Sequence, residues 1–80
     1  MKNKVFLVVL EWSDYNSTDI EIKVASTREK AEDIFNEFLQ DESVADLLKD
    51  CEYECNYNFS LYAYDINNVV NLYIEEKEVE

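Results

Sequence analysis

The sequence predicts an α+β fold: a four-stranded, largely antiparallel sheet in the order ββα(α)ββ, with the helices packed on one face. Three observations carry this. Residues 5–12 and 19–25 are apolar or alternating runs of the kind that form strands, and a stretch with helical periodicity follows over residues 26–51. The period then returns to two from Tyr53 onward. A run of strands, then helices, then strands favours one sheet covered on one side.

Val5-Phe6-Leu7-Val8-Val9-Leu10 is unbroken and rich in β-branched residues, which suits a central strand buried on both faces, continuing to Trp12. Ser13-Asp14-Tyr15-Asn16-Ser17 is a connection rich in turn formers. In residues 19–25, Ile20, Ile22 and Val24 point one way and Glu21 and Lys23 the other, as in a half-buried strand. Its apolar side is expected to meet the helices.

Ser26-Thr27-Arg28-Glu29 matches a capping box, with Ser26 as the N-cap and Glu29 reaching back to it. Ala31, Ile34, Phe35, Phe38 and Leu39 then form one apolar stripe. The stripe breaks over residues 40–43 and resumes with Val44, Leu47, Leu48 and Cys51, so two helical segments are expected, the second capped by Ser43. From Tyr53 to Ala63 the odd residues face one side and the even residues the other, predicting one strand. Asp65-Ile66-Asn67-Asn68 signals a turn in which Asn tolerates positive φ. Val70, Leu72 and Ile74 alternate in a last strand, and residues 75–80 are expected to be a frayed, charged end.

Eighty residues make a single domain, residues 1–80, with no repeat or linker. Apolar residues are 48% of the chain and aromatics 14%, a composition that argues against disorder despite the charge. Nineteen acids against seven Lys and Arg give a net charge of −12. Such a chain is repelled by nucleic acid and by anionic membranes and is drawn to basic proteins. There is no Gly, Pro or His. The usual phosphate-cradling loop and the commonest general base and metal ligand are therefore missing, and no cofactor is implied. The start, Met1-Lys2-Asn3-Lys4 before the apolar run, is too short for a signal peptide or a membrane span. A cytoplasmic protein with reduced thiols is expected.

Glu29, Asp33, Glu37 and Asp41 recur every four residues, and Glu42, Asp46 and Asp50 repeat the pattern. On a helix, neighbours in such a row stand about 6 Å apart along the axis. From Glu29 to Glu54, ten acids face Lys30 and Lys49, a local net charge of −8. Like charges at this spacing destabilise a helix by a few tenths of a kcal/mol per pair, roughly. A row of carboxylates can imitate a phosphate backbone to a partner that binds nucleic acid. The plainer account is a solvated helix face that keeps the protein soluble.

Trp12 and Tyr15 flank the first loop, and Tyr62, Tyr64 and Tyr73 fall on the sheet face away from the helices. Tyr and Trp are favoured anchors at binding hot spots. With one helical layer, that outer face would also expose Val5, Leu7 and Val9. A homodimer packed through the face would cover it. So would a register shifted by one, or the C-terminal tail. Cys51 and Cys55 read as two buried structural thiols, since no His or further Cys completes a zinc shell. Nineteen acids guarantee many carboxylate pairs, so pairing gives no specific sign of catalysis, and no His can activate a hydroxyl. The expectation is a non-enzymatic binding protein with no catalytic or metal site.

A hairpin running into Ser26-Thr27-Arg28-Glu29-Lys30-Ala31-Glu32, an amphipathic helix and a second hairpin resemble small α+β proteins of phages and mobile elements. The acidic surface with exposed tyrosines is similar to that of anti-CRISPR and other DNA-mimic inhibitors. The resemblance is one of pattern, and only the generic helix start carries it in residues. It implies a stoichiometric inhibitor in a bacterial host that occupies the nucleic-acid groove of a CRISPR effector or polymerase.

Overall fold

The first and last apolar runs of the chain pair with each other, and this pairing organises the sheet. The computed structural model describes residues 3–79. The strands are β1 (Asn3–Ser13), β2 (Thr18–Ala25), β3 (Tyr53–Asn56), β4 (Ser60–Tyr64) and β5 (Val69–Val79); the helices, between β2 and β3, are α1 (Arg28–Gln40) and α2 (Glu42–Asp50). The sheet has five strands in the order β2-β1-β5-β4-β3, and every neighbouring pair is antiparallel. The α+β class and the helical layer are as expected. The strand count is not, because the order is ββααβββ.

The extra strand comes from a turn inside the alternating run after Tyr53. Tyr57 and Ser60 exchange two backbone hydrogen bonds, each 3.1 Å. Between them Asn58 and Phe59 have φ of 53° and 56°. Positive φ at both central residues is the signature of a type I′ hairpin, which usually takes Asn-Gly. Here Phe59 accepts the strained backbone while its ring packs edge-on against Phe35 at 5.3 Å, with the Arg28 guanidinium over it at 5.7 Å. A two-residue turn also reverses parity. Tyr53 and Cys55 therefore share a face with Tyr62 and Tyr64, opposite Leu61 and Ala63.

The last strand does not fray after Ile74. Glu75, Glu76, Lys77, Glu78 and Val79 continue β5 beside residues 3–7 of β1. Met1, Lys2 and Glu80 lie outside the described residues, and with them part of the expected basic start and the tip of the expected charged end.

Both helix caps fall at other residues than expected. Thr27, not Ser26, caps α1, its hydroxyl accepting from the Lys30 amide at 3.1 Å, so Glu29 closes no capping box. Asp41, not Ser43, caps α2, its carboxylate accepting from the Ser43 amide at 2.9 Å. A carboxylate at a helix N-terminus also meets the positive end of the helix dipole.

The helices cover one face of the sheet. Phe35, Phe38 and Ala31 of α1 pack with Val8, Ala25, Leu61 and Leu72. Leu47 of α2 packs with Ala63 and Val70. The edge strand β2 departs from expectation. Because Val9 pairs with Ile22 and Leu7 with Val24, its apolar residues share the outer face with Leu7 and Val9. Its helix side carries Asp19, Glu21 and Lys23, and of that side only Ala25 is buried. The Lys23 ammonium lies 5.0 Å from the Phe38 ring centre, so its stem roofs the rim of the core.

The left-handed turn yields a first test. Asn58→Gly should leave the urea midpoint unchanged or raise stability by up to about 1 kcal/mol, whereas Asn58→Val should lower it by about 1–2 kcal/mol.

Candidate functional site

The described residues offer two opposed surfaces and one shallow depression between elements. On the helical side, Glu29, Asp33, Glu37, Asp41, Glu42, Asp46 and Asp50 are all exposed. They do not form one row. The chain turns between α1 and α2, so Glu29, Asp33 and Glu37 stand on one helix and Glu42, Asp46 and Asp50 on the other. Asp41 sits at the joint with its carboxylate engaged as a cap. Among the described residues, none of the other six takes part in a side-chain hydrogen bond or ion pair. The ion pair on α1 joins Arg28 to Glu32 at 3.0 Å.

The aromatic anchors do not converge on this surface. Trp12 is half-buried and packs beside Leu47, Ala63 and Val70, with its indole N–H donating to Asn68 Oδ1 at 3.0 Å. It packs at the rim of the core and ties β1 to the loop before β5. Tyr15 stands at the tip of the first loop, 82% exposed. Tyr62 lies on the sheet face opposite the helices.

Two loops at one end of the sheet are built alike, since Ser13 pairs with both Thr18 and Val69. Asp14 accepts from the amides of Asn16 and Ser17 at 2.8 and 3.0 Å. Asp65 accepts from those of Asn67 and Asn68, both at 2.7 Å. The 65–68 turn is thus closed by a carboxylate rather than by an Asn at positive φ. The amide of Asn16, then that of Ser17, holds the Asp14 carboxyl below the ordinary 3.8, and Asn67 leads the same effect on Asp65. A depression of about 290 Å³ lies alongside, lined by Trp12, Ser43, Asp46, Leu47, Asp50, Asp65 and Asn68. It is open to solvent, and Asp65 is turned into its own loop. No metal-binding group of three His, Cys, Asp or Glu occurs among the described residues.

The outer face of the sheet is the more distinctive surface. Across its rows lie Val24, Leu7 and Glu75; then Ile22, Val9, Tyr73 and Ser60; then Ile20, Glu11, Asn71, Tyr62 and Cys55. Ile20, Ile22 and Val24 are 60%, 53% and 62% exposed. Tyr53, Tyr62 and Tyr64 form an aromatic cluster at the far corner, with Tyr53 stacked on Tyr64 at 5.5 Å. Tyr73 donates its hydroxyl to Glu11 at 3.1 Å; desolvation and that bond raise its pKa. Cys51 is half-buried and donates to the Leu48 carbonyl at 3.4 Å. Cys55 is exposed on the outer face, which corrects the expectation of two buried thiols. Charge interaction with Cys55, with a hydrogen bond to it, raises the Tyr53 hydroxyl pKa.

The residues missed from the sequence are Ile20, Ile22, Val24, Tyr53 and Cys55. The signal for the first three was present. A four-residue loop closing Ser13 onto Thr18 forces Ile22 opposite Val9, and so onto the outer face. Comparisons with protein families, curated proteins and solved structures found no match. Among the described residues, no helix is long and apolar enough to cross a membrane.

Two outcomes test this geometry. Trp12→Phe should cost about 1 kcal/mol in urea unfolding, the net worth of one hydrogen bond. Asp65→Ala should destabilise the fold at neutral pH. Because the folded-state pKa is lowered, that contribution is present above the unfolded value and lost as pH falls through the folded one. The gap between wild type and variant should therefore narrow as pH is taken from about 6 to about 3.

Proposed function

We propose that this protein is a non-enzymatic binding module whose open sheet face is its recognition surface. The observation that supports this reading is the orientation of β2. An edge strand with Asp19, Glu21 and Lys23 on one side and Ile20, Ile22 and Val24 on the other would ordinarily turn the apolar side to the core. Here that side faces outward, on the same face as half-buried Leu7 and Tyr73; Val9 between them is only 4% exposed, closed over by its neighbours rather than displayed as expected. Exposed apolar side chains such as Ile20, Ile22 and Val24 suit an interface, and flanking tyrosines are suited to anchor one. The charge of −12 argues against nucleic acid or an anionic membrane as the direct partner.

A second reading is favoured by one separate observation: six helical acids, Glu29, Asp33, Glu37, Glu42, Asp46 and Asp50, are exposed and free of cation partners among the described residues. In this reading the helical layer mimics nucleic acid and blocks a basic, nucleic-acid-binding protein in the cytoplasm of a bacterial host, as an anti-CRISPR inhibitor does.

Photo-crosslinking separates the two. A photoreactive residue in place of Ile22 should give a covalent adduct in the cells that make the protein, and the same residue in place of Glu37 should not. Absence of any adduct at position 22 rejects the first reading. For the second, the double variant Asp33→Lys, Glu37→Lys should abolish capture of a nucleic-acid-binding protein that DNA displaces. Capture that survives both changes at moderate salt rules the mimic out.

A further inference from the structure

We propose that the occupant of the open sheet face is a second copy of this chain, the two sheets packing face to face about a two-fold axis. This rests on the reading of that face as the recognition surface and names its partner. The charge of the face points to a second copy, and its area and the sheet edges are compatible with face-to-face packing.

The chain carries −12 in all, yet among the described residues the outer face holds only Glu11, Glu75 and Lys77, a formal net of −1 from two acids and one base. A basic partner would find little to bind there and much on the helices. The surface that matches this one is equally apolar and nearly neutral, and the chain supplies it. Glu75 and Lys77 give each copy both signs on one strand, which suits a self-complementary contact. Packing these faces keeps the helical acids of the two copies on opposite outer sides of the pair, where their repulsion is least.

The area is adequate. The strands are 11, 8, 4, 5 and 11 residues long. With about 3.3 Å per residue and about 4.8 Å between strands, the projected face is on the order of 600 Å². Its accessible area is larger, because side chains corrugate it, and a standard interface buries roughly 800 Å² per partner. Aligned sheets pack about 10 Å apart with interdigitating side chains, a geometry that suits Ile, Val and Tyr.

The competing route, adding strands at an edge, is disfavoured, and the stretch of β5 beyond Tyr73, which among the described residues has no neighbour on its β4 side, carries Glu75, Glu76, Lys77 and Glu78. Edge strand β2 alternates charges on its helix side, and edge strand β3 spans only Tyr53–Asn56. Charged and short edges are devices against strand addition.

Sedimentation equilibrium of the purified full chain at tens of micromolar tests the inference. The wild type should sediment at twice the chain mass. Ile22→Lys should weaken association by about 100-fold or more and give the chain mass with an unchanged circular dichroism spectrum. Tyr15→Lys, an exposed aromatic off this face, should remain dimeric. If Ile22→Lys does not fold, Ile22→Thr with Val24→Thr keeps the β-branched backbone preference and should also give monomers. A wild type at the chain mass overturns the proposal, as does a folded face variant that stays dimeric. The two levels fail separately. A monomeric protein that still gives an adduct of another mass at position 22 removes the second copy and keeps the recognition face. A monomer with no adduct removes both.

Discussion

A sheet in a two-layer fold has two faces and only one helical layer to cover them. In this protein α1 and α2 bury the side that carries Val8, Leu61, Ala63, Val70 and Leu72, with Phe35 and Phe38 filling the space above. Everything else about the molecule follows from where that cover stops. Strands β1, β5 and β4 lie inside the core, so the helix-facing residues of β4 and of the middle of β1 and β5 are apolar. Strand β2 is at the rim. Only Ala25, next to the helix start, is buried there, and Asp19, Glu21 and Lys23 take the helix side. A charged residue tolerates the rim because its head reaches water while its stem covers apolar surface, as Lys23 does over Phe38.

The acids divide by the same logic. Asp14 and Asp65 close the two loops at one end of the sheet, and Asp41 caps α2. These three carboxylates organise backbone that has no Gly or Pro to shape it. Asp and Asn side chains can replace those residues in turns by accepting local amides. The count of acids therefore overstates the charge free to meet a partner. The rest of the helical acids have no such local duty, and their mutual repulsion works against α1 and α2. The burial of Phe35, Phe38, Val44 and Leu47 has to outweigh that repulsion.

The sequence made the periodic elements legible. The β1 run, the stripe of α1 and its resumption in α2 each repeat over enough residues for the period to be unambiguous. The caps were displaced by one or two residues, because Ser26-Thr27 and Asp41-Glu42-Ser43 offer adjacent groups able to do the same task. The 58–59 turn was hidden for a physical reason. A type I′ turn is normally announced by Gly, and here Phe59 occupies the position because its ring gains Phe35 and Arg28 as neighbours. Missing that turn merged β3 with β4 and inverted the parity of Tyr53 and Cys55. The direction of β2 differs from the expectation because alternation shows that a strand has two unlike faces and not which of them meets the helices. Position beside a loop suggests full display of Trp12, whereas its even parity on β1 places it with Leu10 on the helix side, half-buried at the rim of the depression.

The two surfaces are not independent features of one small chain. A net charge of −12 opposes self-association, and in the proposed dimer the apolar sheet face would have to overcome it. Were the charge spread evenly, like charges would oppose any pairing at the sheet. Instead the outer face is left almost neutral, and acids such as Asp33, Glu37 and Asp46 stand on the helices, on the far side of a layer roughly 10 Å thick. At that distance, physiological salt already screens exposed charges. In the proposed dimer this segregation would favour one orientation, sheet toward sheet, and penalise approach by the helical side, so the acids would select the geometry of contact.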